Sequence, residues 1–366
     1  MKNTAIKLLI ACAFLALAAL PATAAEKTKI RLAPMPGMGQ LVPQLAVGLG
    51  YFEQEDLAVE MVTVMDWIDD DWLSGELLNN GTVDAEVNWF HRVVYGTGNR
   101  QPLKAVVLLE DSPGMKILVA APLKDRVKSA AAFKGLRIST SGGFSTKRYL
   151  VELVAARNGV AQADLTFLPE EFQHGRTNAQ IVTDLKAGAA DVIAAMDPLT
   201  RSIEESGAMT TLYDLTNRAG TKSALGEVWP ARCLFVSPKF IEQHPESVQK
   251  LVNVFVRTMR FINSHNADEI FAKLPLSYFN PHTNNDVFKA YKAEEKLKIS
   301  RALSTFTRGD YSIPPAAAAF VTKVTLSARF DDTPEGQFRR AARNGPVDAA
   351  DTFDNRFVGK AMKAIP

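Results

Sequence analysis

Apolar and polar positions between residues 30 and 198 follow one pattern written twice. Ile30-Arg31-Leu32-Ala33-Pro34 reads as a strand, and the turn-rich Met35-Pro36-Gly37-Met38-Gly39 follows it. Leu41, Leu45, Ala46 and Leu49 then recur at helical spacing, with Gly50 as the stop. Leu136-Arg137-Ile138-Ser139 begins the second copy, and Thr140-Ser141-Gly142-Gly143-Phe144-Ser145 makes its turn. Leu150, Leu153 and Val154 mark a helix that ends near Asn158-Gly159.

Each copy continues with a second strand, 59–64 in the first and 165–168 in the second. A helix ending in glycine comes next, and then a strand entered through Asp, at Asp84 and at Asp191. Arg31 precedes Gly81 by 50 positions and Arg137 precedes Gly188 by 51. The β-α-β-α-β order at near-equal spacing predicts two similar α/β lobes, each a largely parallel sheet flanked by helices. Ligands of such sheets bind at the carboxyl ends of the strands, so two facing lobes line a cleft from both sides.

The connectors are expected near 110–114 and again near 226–230. This places the first lobe at 26–112 plus 226–366 and the second at 113–225. Two crossings predict a hinge. His244-Pro245-Glu246 starts a helix with proline at its first position, and Val248, Leu251, Val252, Phe255, Met259 and Ile262 share one face. Further helices are predicted over 285–303 and 315–328. The tail from Phe330, rich in Asp, Arg and Gly, predicts no particular order.

The first 25 residues read as a secretory signal. Lys2 and Lys7 precede an apolar run from Leu8 to Leu20, and Pro21 leads into the small-x-small site Ala22-Thr23-Ala24. The run is shorter than the roughly 20 apolar residues that a membrane span needs. Leu9-Ile10-Ala11-Cys12 loosely fits a lipid-attachment box but leaves too few apolar residues ahead of Cys12. Cleavage after the small residues leaves Cys233 as the only cysteine, which excludes an internal disulfide.

The 366 residues are 47% hydrophobic and 22% charged, an ordinary globular composition with enough chain for two or three cores. Without the leader the chain holds 40 basic and 40 acidic residues. That balance gives no electrostatic footprint for nucleic acid. The five histidines, at 91, 174, 244, 265 and 282, are dispersed, so no metal site is expected. No nucleophile elbow, phosphate-binding loop or dinucleotide fingerprint occurs, so no catalytic residue and no cofactor are expected.

Several stretches resemble the periplasmic solute-binding proteins of ABC importers, in the nitrate/sulfonate/taurine and thiamine-precursor-like group. They are Gly50-Tyr51-Phe52-Glu53-Gln54-Glu55-Asp56-Leu57-Ala58-Val59-Glu60, Phe133-Lys134-Gly135-Leu136-Arg137-Ile138 with Ser141-Gly142-Gly143, Leu185-Lys186-Ala187-Gly188-Ala189-Ala190-Asp191, and Phe240-Ile241-Glu242-Gln243-His244-Pro245-Glu246. The resemblance covers roughly 28–275, and it is carried by the order and spacing of motifs that are individually weak. It implies a two-lobed type II binding-protein fold, a periplasmic monomer, and delivery of a small-molecule ligand to ABC permease subunits in the inner membrane. The related thiamine-precursor synthases carry a cysteine-rich segment that this chain lacks.

The candidate cleft residues each carry a structural alternative. Ser141, Gly143, Phe144, Ser145 and Thr146 offer helix N-terminal N–H groups and hydroxyls to an oxygen, or simply cap their own helix. Met38 and Gln40 face them from the other lobe, in what is equally an ordinary tight turn. Asn88, Trp89 and Phe90 either hold a planar solute or pack the next helix. Asp197 and Trp229 either reach ligand or serve the helix start at Pro198 and the return crossing. His174 sits on a loop, where solvent is the plainer partner. Trp67 lies in the acidic run Asp66 to Asp71, which suits a larger organic solute better than a simple inorganic anion, unless those acids only cap a helix. The expected solute is a sulfonate, aromatic carboxylate or pyrimidine-like molecule. The alternatives are a ligand sensor that partners a membrane receptor or, with less support, an enzyme on the same fold.

Overall fold

The structure is a computed structural model that describes residues 27–63, 73–141, 145–279, 285–327 and 346–365. The first run of elements is β1 (Thr28–Pro34), α1 (Leu41–Gly48), α2 (Tyr51–Gln54), β2 (Leu57–Met61), α3 (Leu73–Asn79), β3 (Ala85–Trp89), α4 (Phe90–Gly98) and β4 (Lys104–Leu108). The second run is β5 (Met115–Ala120), β6 (Arg137–Ser139), α5 (Thr146–Arg157), β7 (Thr166–Phe167), α6 (Asn178–Lys186), β8 (Val192–Met196), α7 (Leu199–Ser206), β9 (Met209–Leu215) and α8 (Arg218–Leu225). β10 (Arg232–Val236) leads into α9 (Pro238–Gln243), α10 (Pro245–Ser264), α11 (Ala267–Ala272), α12 (Asn285–Ala302), α13 (Pro315–Ser327) and α14 (Arg356–Ala364).

These strands form two five-stranded sheets, in the orders β2-β1-β3-β10-β4 and β7-β6-β8-β5-β9. The two orders are equivalent. In each, the first three strands of the repeated unit are parallel neighbours, and an antiparallel strand separates them from the fourth. That antiparallel strand is the first one formed after the chain passes between sheets, β5 in one and β10 in the other. Neither shows alternation in sequence, because β10 is buried at every position and β5 at all but one. The chain therefore folds as two α/β lobes built on mixed sheets.

One repeated contact explains the repeated spacing. The Arg31 guanidinium closes on Asp84, with Nε–Oδ2 3.1 Å and Nη2–Oδ1 2.7 Å, and the Arg31 backbone N–H donates to the same carboxylate at 2.8 Å. Arg137 grips Asp191 in the same way, at 3.0, 2.9 and 2.8 Å. Each Asp thereby docks the entry to the third strand beside the first, in β1/β3 and in β6/β8. The helix before each Asp stops at a left-handed glycine, Gly81 at φ +76° and Gly188 at φ +77°, where a side chain would be strained.

α10 buries the predicted face, Val248, Leu251, Val252, Phe255, Met259 and Ile262, against the first sheet and the helices on it. Each such side chain contributes roughly 1.5–3 kcal/mol relative to exposure. Within the tail, α14 adds Phe357, Val358 and Ala361 to that core. α13 packs across α4 of the first lobe and α5 of the second. No helix among the described residues is long and apolar enough to cross a membrane.

Candidate functional site

β1 and β3 of the first sheet, and β6 and β8 of the second, end in the loops that precede α1, α4, α5 and α7. A cavity of about 80 Å³ lies between the lobes, lined by Met38, Glu110 and Arg232 on one side and Met196 and Asp197 on the other, with Arg301 of α12 over it. Clefts for drug-sized solutes run to about 300–1,000 Å³, so this cavity is small beside them. A larger surface groove of about 490 Å³, lined by Lys104, Ile241, Phe357 and Lys360 among others, lies beside α9 and α14, away from the strand-end loops.

On the first-lobe side the chemistry is a desolvated charge pair on an aromatic face. Arg232 donates through Nη1 to both Glu110 oxygens, at 2.5 and 2.6 Å, and its guanidinium lies 4.7 Å from the Trp89 ring centroid. Burial pushes the Glu110 carboxyl above its usual range, although the Arg232 charge pulls the other way. Asn88 is fully buried, donating to Glu86 Oε1 at 2.8 Å while its side-chain oxygen accepts the Trp89 N–H at 2.8 Å. Phe90 is fully buried in the core, and Trp229 is buried with its ring edge-on to Phe320 at 6.1 Å. Their bulk serves packing. Met38 and Gln40 are half-buried in the turn after β1, and Met38 reaches the cavity.

On the second-lobe side the carboxyl end of β6 carries a polar network. Ser141, with a left-handed φ of +63°, donates through Oγ to Gln173 Oε1 at 2.8 Å. Lys147 Nζ donates to Ser141 Oγ at 2.8 Å and to Gln173 Oε1 at 3.0 Å. Gln173 is held in turn by Ser139 Oγ at 2.8 Å and the Ala194 carbonyl at 3.3 Å. Desolvation lowers the Lys147 pKa from 10.5 to about 8. Ser145 caps α5, its Oγ accepting the Lys147 N–H at 3.2 Å, and Thr146 is the first helical residue. His174 points to solvent, whereas the preceding Gln173 turns inward.

Asp197 is taken up by a helix from the other end of the chain. Arg301 of α12 binds its carboxylate, with Nη2–Oδ1 3.0 Å, and also reaches Glu204 at 3.0 Å. Thr200 donates to Asp197 as well, and Lys116 to Glu204. Desolvation raises both carboxyls, but these bonds and charges together outweigh it and leave both below their ordinary pKa values. Arg201 of α7 meets Glu294 of α12 at 2.7 Å. α12 therefore straps the β8 end of the second lobe.

Of the residues named from the sequence, Met38 and Asp197 line the cavity, Trp89 adjoins it only through Arg232, and Ser141 is not in its lining, while Trp67, Gly143, Phe144 and the acidic run 66–71 lie outside the described residues. Lys147, Gln173, Arg232, Glu110 and Arg301 escaped the sequence reading. A signal existed for one of them. Lys147 and Arg148 put two cations and no acid in the first turn of α5, against the helix dipole. The others are brought in by long-range pairing that no local pattern encodes. Among the described residues no group of His, Cys, Asp and Glu could hold a metal ion.

The fold is that of the solved two-lobed periplasmic binding proteins that it matches. The chain belongs to the NMT1/THI5-like family, whose model matches residues 44–268. A solved structure from Bordetella bronchiseptica RB50 matches at 24% identity over 93% of this chain and 99% of its own, TM-score 0.65. The putative periplasmic sulfonate-binding protein SsuA of Methylobacillus flagellatus KT matches at 13% identity over 93% and 95%, TM-score 0.64. The periplasmic nitrate-binding protein NrtA of Synechocystis PCC 6803 matches at 13% over 93% and 89%, TM-score 0.59. The desulfurization enzyme DSZB shares the fold too, at 13% identity over 93% of this chain and 100% of its own, TM-score 0.54. No curated protein sequence matches significantly.

Proposed function

We propose that this protein is an extracytoplasmic solute-binding protein. It captures a small organic solute between its lobes and presents the closed form to an ABC importer in the inner membrane. The observation that carries this reading is the interlobe cavity, lined from both sheets by groups at strand ends, with the Glu110–Arg232 charge pair on one wall and Met196 and Asp197 on the other. Family membership and the binding-protein neighbours support it, and the apolar leader at residues 1–25 fits export.

The work of such a site is non-covalent: it desolvates the solute, satisfies its polar atoms, and holds the lobes shut. Nucleophilic chemistry at Cys233 has little support, since the thiol is fully buried and burial raises its pKa well above the usual value. Trp89 and Arg232 supply a flat, partly cationic wall for the organic body of the solute.

A thermal-shift screen over sulfonates, aromatic carboxylates, pyrimidines and amines, followed by calorimetry on hits, tests the proposal. Binding to the folded form alone raises the melting temperature by mass action. Recovery of the hit unaltered after incubation supports a binder, and steady conversion to product overturns the reading in favour of an enzyme.

A further inference from the structure

We propose that α12 is an ionic clasp between the lobes, a gate on the interlobe cavity that rising ionic strength opens. It is anchored in the first lobe by apolar burial and grips the second lobe through ion pairs. The clasp does not depend on which solute the cavity takes, and it is tested without one.

α12 meets the two lobes by different chemistry. On the first-lobe side Ile299 is fully buried, and Tyr291, Ala302 and the following Leu303 pack against the same core. Tyr278 donates to Glu295 at 3.2 Å. Just past the helix Phe306 is buried, and the Thr307 N–H donates to the Leu109 carbonyl at 2.8 Å. Toward the second lobe the contacts are polar. Arg301 holds Asp197 and Glu204, Glu294 holds Arg201 at 2.7 Å, and Ser304 Oγ donates to the Thr216 carbonyl at 2.8 Å. Lys116 shares Glu204 from within the second lobe and stays with it. Among the described residues no α12 side chain joins an apolar cluster that includes second-lobe residues.

The five charged side chains of the clasp keep between 26% and 38% of their surface exposed. Salt screens such pairs and leaves apolar burial intact. A second junction of the lobes is built the other way. α13 buries Ala318 and Val321 in one apolar cluster with Val93 and Val94 of α4 and Leu150 and Val151 of α5, and Phe320 meets Trp229 of the return crossing. That junction is the pivot, and the junction at α12 is the one that parts. Lys298, Arg301 and Ala302 line the cavity together with Met196 and Asp197. Release of Arg301 therefore lets α12 withdraw with the first lobe and uncovers the cavity. Every partner in the clasp belongs to the chain itself, so it closes without a solute.

Nitroxide labels at Lys124→Cys in the second lobe and Lys273→Cys in the first, both exposed positions, report the interlobe distance by pulsed electron paramagnetic resonance. The mature chain is used after exhaustive dialysis, and Cys233 is fully buried and stays unlabelled. The expected result is a single short distance in about 0.02 M NaCl and a growing longer-distance population toward about 1 M. Arg201→Glu, Glu294→Arg and Arg301→Met each raise that population about fivefold in low salt. The double exchange Arg201→Glu with Glu294→Arg returns it to the wild-type level, a recovery that a helix merely packed in place would not show. Melting temperatures of the variants separate an opened protein from an unfolded one, and the wild-type salt titration decides alone if a variant does not fold. A wild-type distance that is the same at both salt concentrations overturns the clasp, and so do single variants that stay shut in low salt or a double exchange that recovers nothing. Solute binding is left untouched by any of these results.

Discussion

Tyr95 of α4 and Tyr149 of α5 meet hydroxyl to hydroxyl at 2.8 Å, both buried, and so join the helix that follows β3 in one lobe to the helix that follows β6 in the other. Trp89 stacks on His91 at 6.4 Å, and His91 meets Tyr95 edge-on at 5.9 Å, so an aromatic chain runs from the cleft wall to this interlobe contact.

Tyr149→Phe removes one buried hydroxyl bond, which is worth about 1 kcal/mol. If that bond forms only when the lobes shut, the solute found in the screen binds about fivefold more weakly, and the scattering radius of gyration of the unliganded protein increases. Equal affinity with a lower melting temperature would show that the bond persists in the open form.

Arg301→Ala frees α12 from Asp197 and Glu204. Both ion pairs are partly exposed, so the expected loss of stability at neutral pH is at most about 1 kcal/mol. Both carboxyls sit below their ordinary pKa values, so their contribution is present above the unfolded values of 3.8 and 4.5 and is lost as pH falls through the still lower folded values. Urea denaturation of wild type and variant should differ at pH 5 to 7 and converge as acid protonates both carboxylates in the folded state.

Lys147 gives the opposite pH signature. Its folded pKa of about 8 lies below the unfolded 10.5, so the charged form penalises the fold below pH 8, and the penalty disappears as pH rises toward 10.5. The unliganded protein should therefore gain stability over that interval relative to Lys147→Met, by up to about 3 kcal/mol. Parallel stability curves for the two proteins between pH 7 and 10.5 would refute this.

Asp84→Asn and Asp191→Asn make the same change in the two halves. Each weakens a bidentate arginine clamp whose Arg is about half exposed, 41% for Arg31 and 46% for Arg137, so each should cost about 1 kcal/mol. The sites sit in separate sheets, and the double variant should show the sum of the two losses by urea denaturation. A much larger loss in the double variant would mean that the two lobes unfold as one coupled unit.

Trp89→Ala tests the cleft wall. The ring is 8% exposed and carries the Arg232 guanidinium on its face, so the substitution should weaken solute binding more than tenfold if the ring is a ligand contact. It should also cost a few kcal/mol of stability, because a cavity replaces a large buried ring. A stability loss with unchanged affinity assigns Trp89 to packing.

What the chain shows by itself is whatever local chemistry writes into it. The two β-α-β-α-β units, the glycine stops at Gly81 and Gly188, the strands entered at Asp84 and Asp191, and the apolar face of α10 all depend on short-range periodicity and on backbone conformations that few residues tolerate. The tertiary structure decided the rest. β5 and β10 are buried on both faces, so no alternation marks them, and their partners lie far away in sequence. It also turned Gln173 inward and His174 outward, gave Asp197 to Arg301 from 104 positions downstream, and spent Phe90 and Trp229 on packing. Whether a polar side chain meets solvent, a counter-charge or a buried amide depends on which distant strand ends arrive beside it. Lys147 met Ser141 and Gln173 only once the chain had brought the ends of distant elements together.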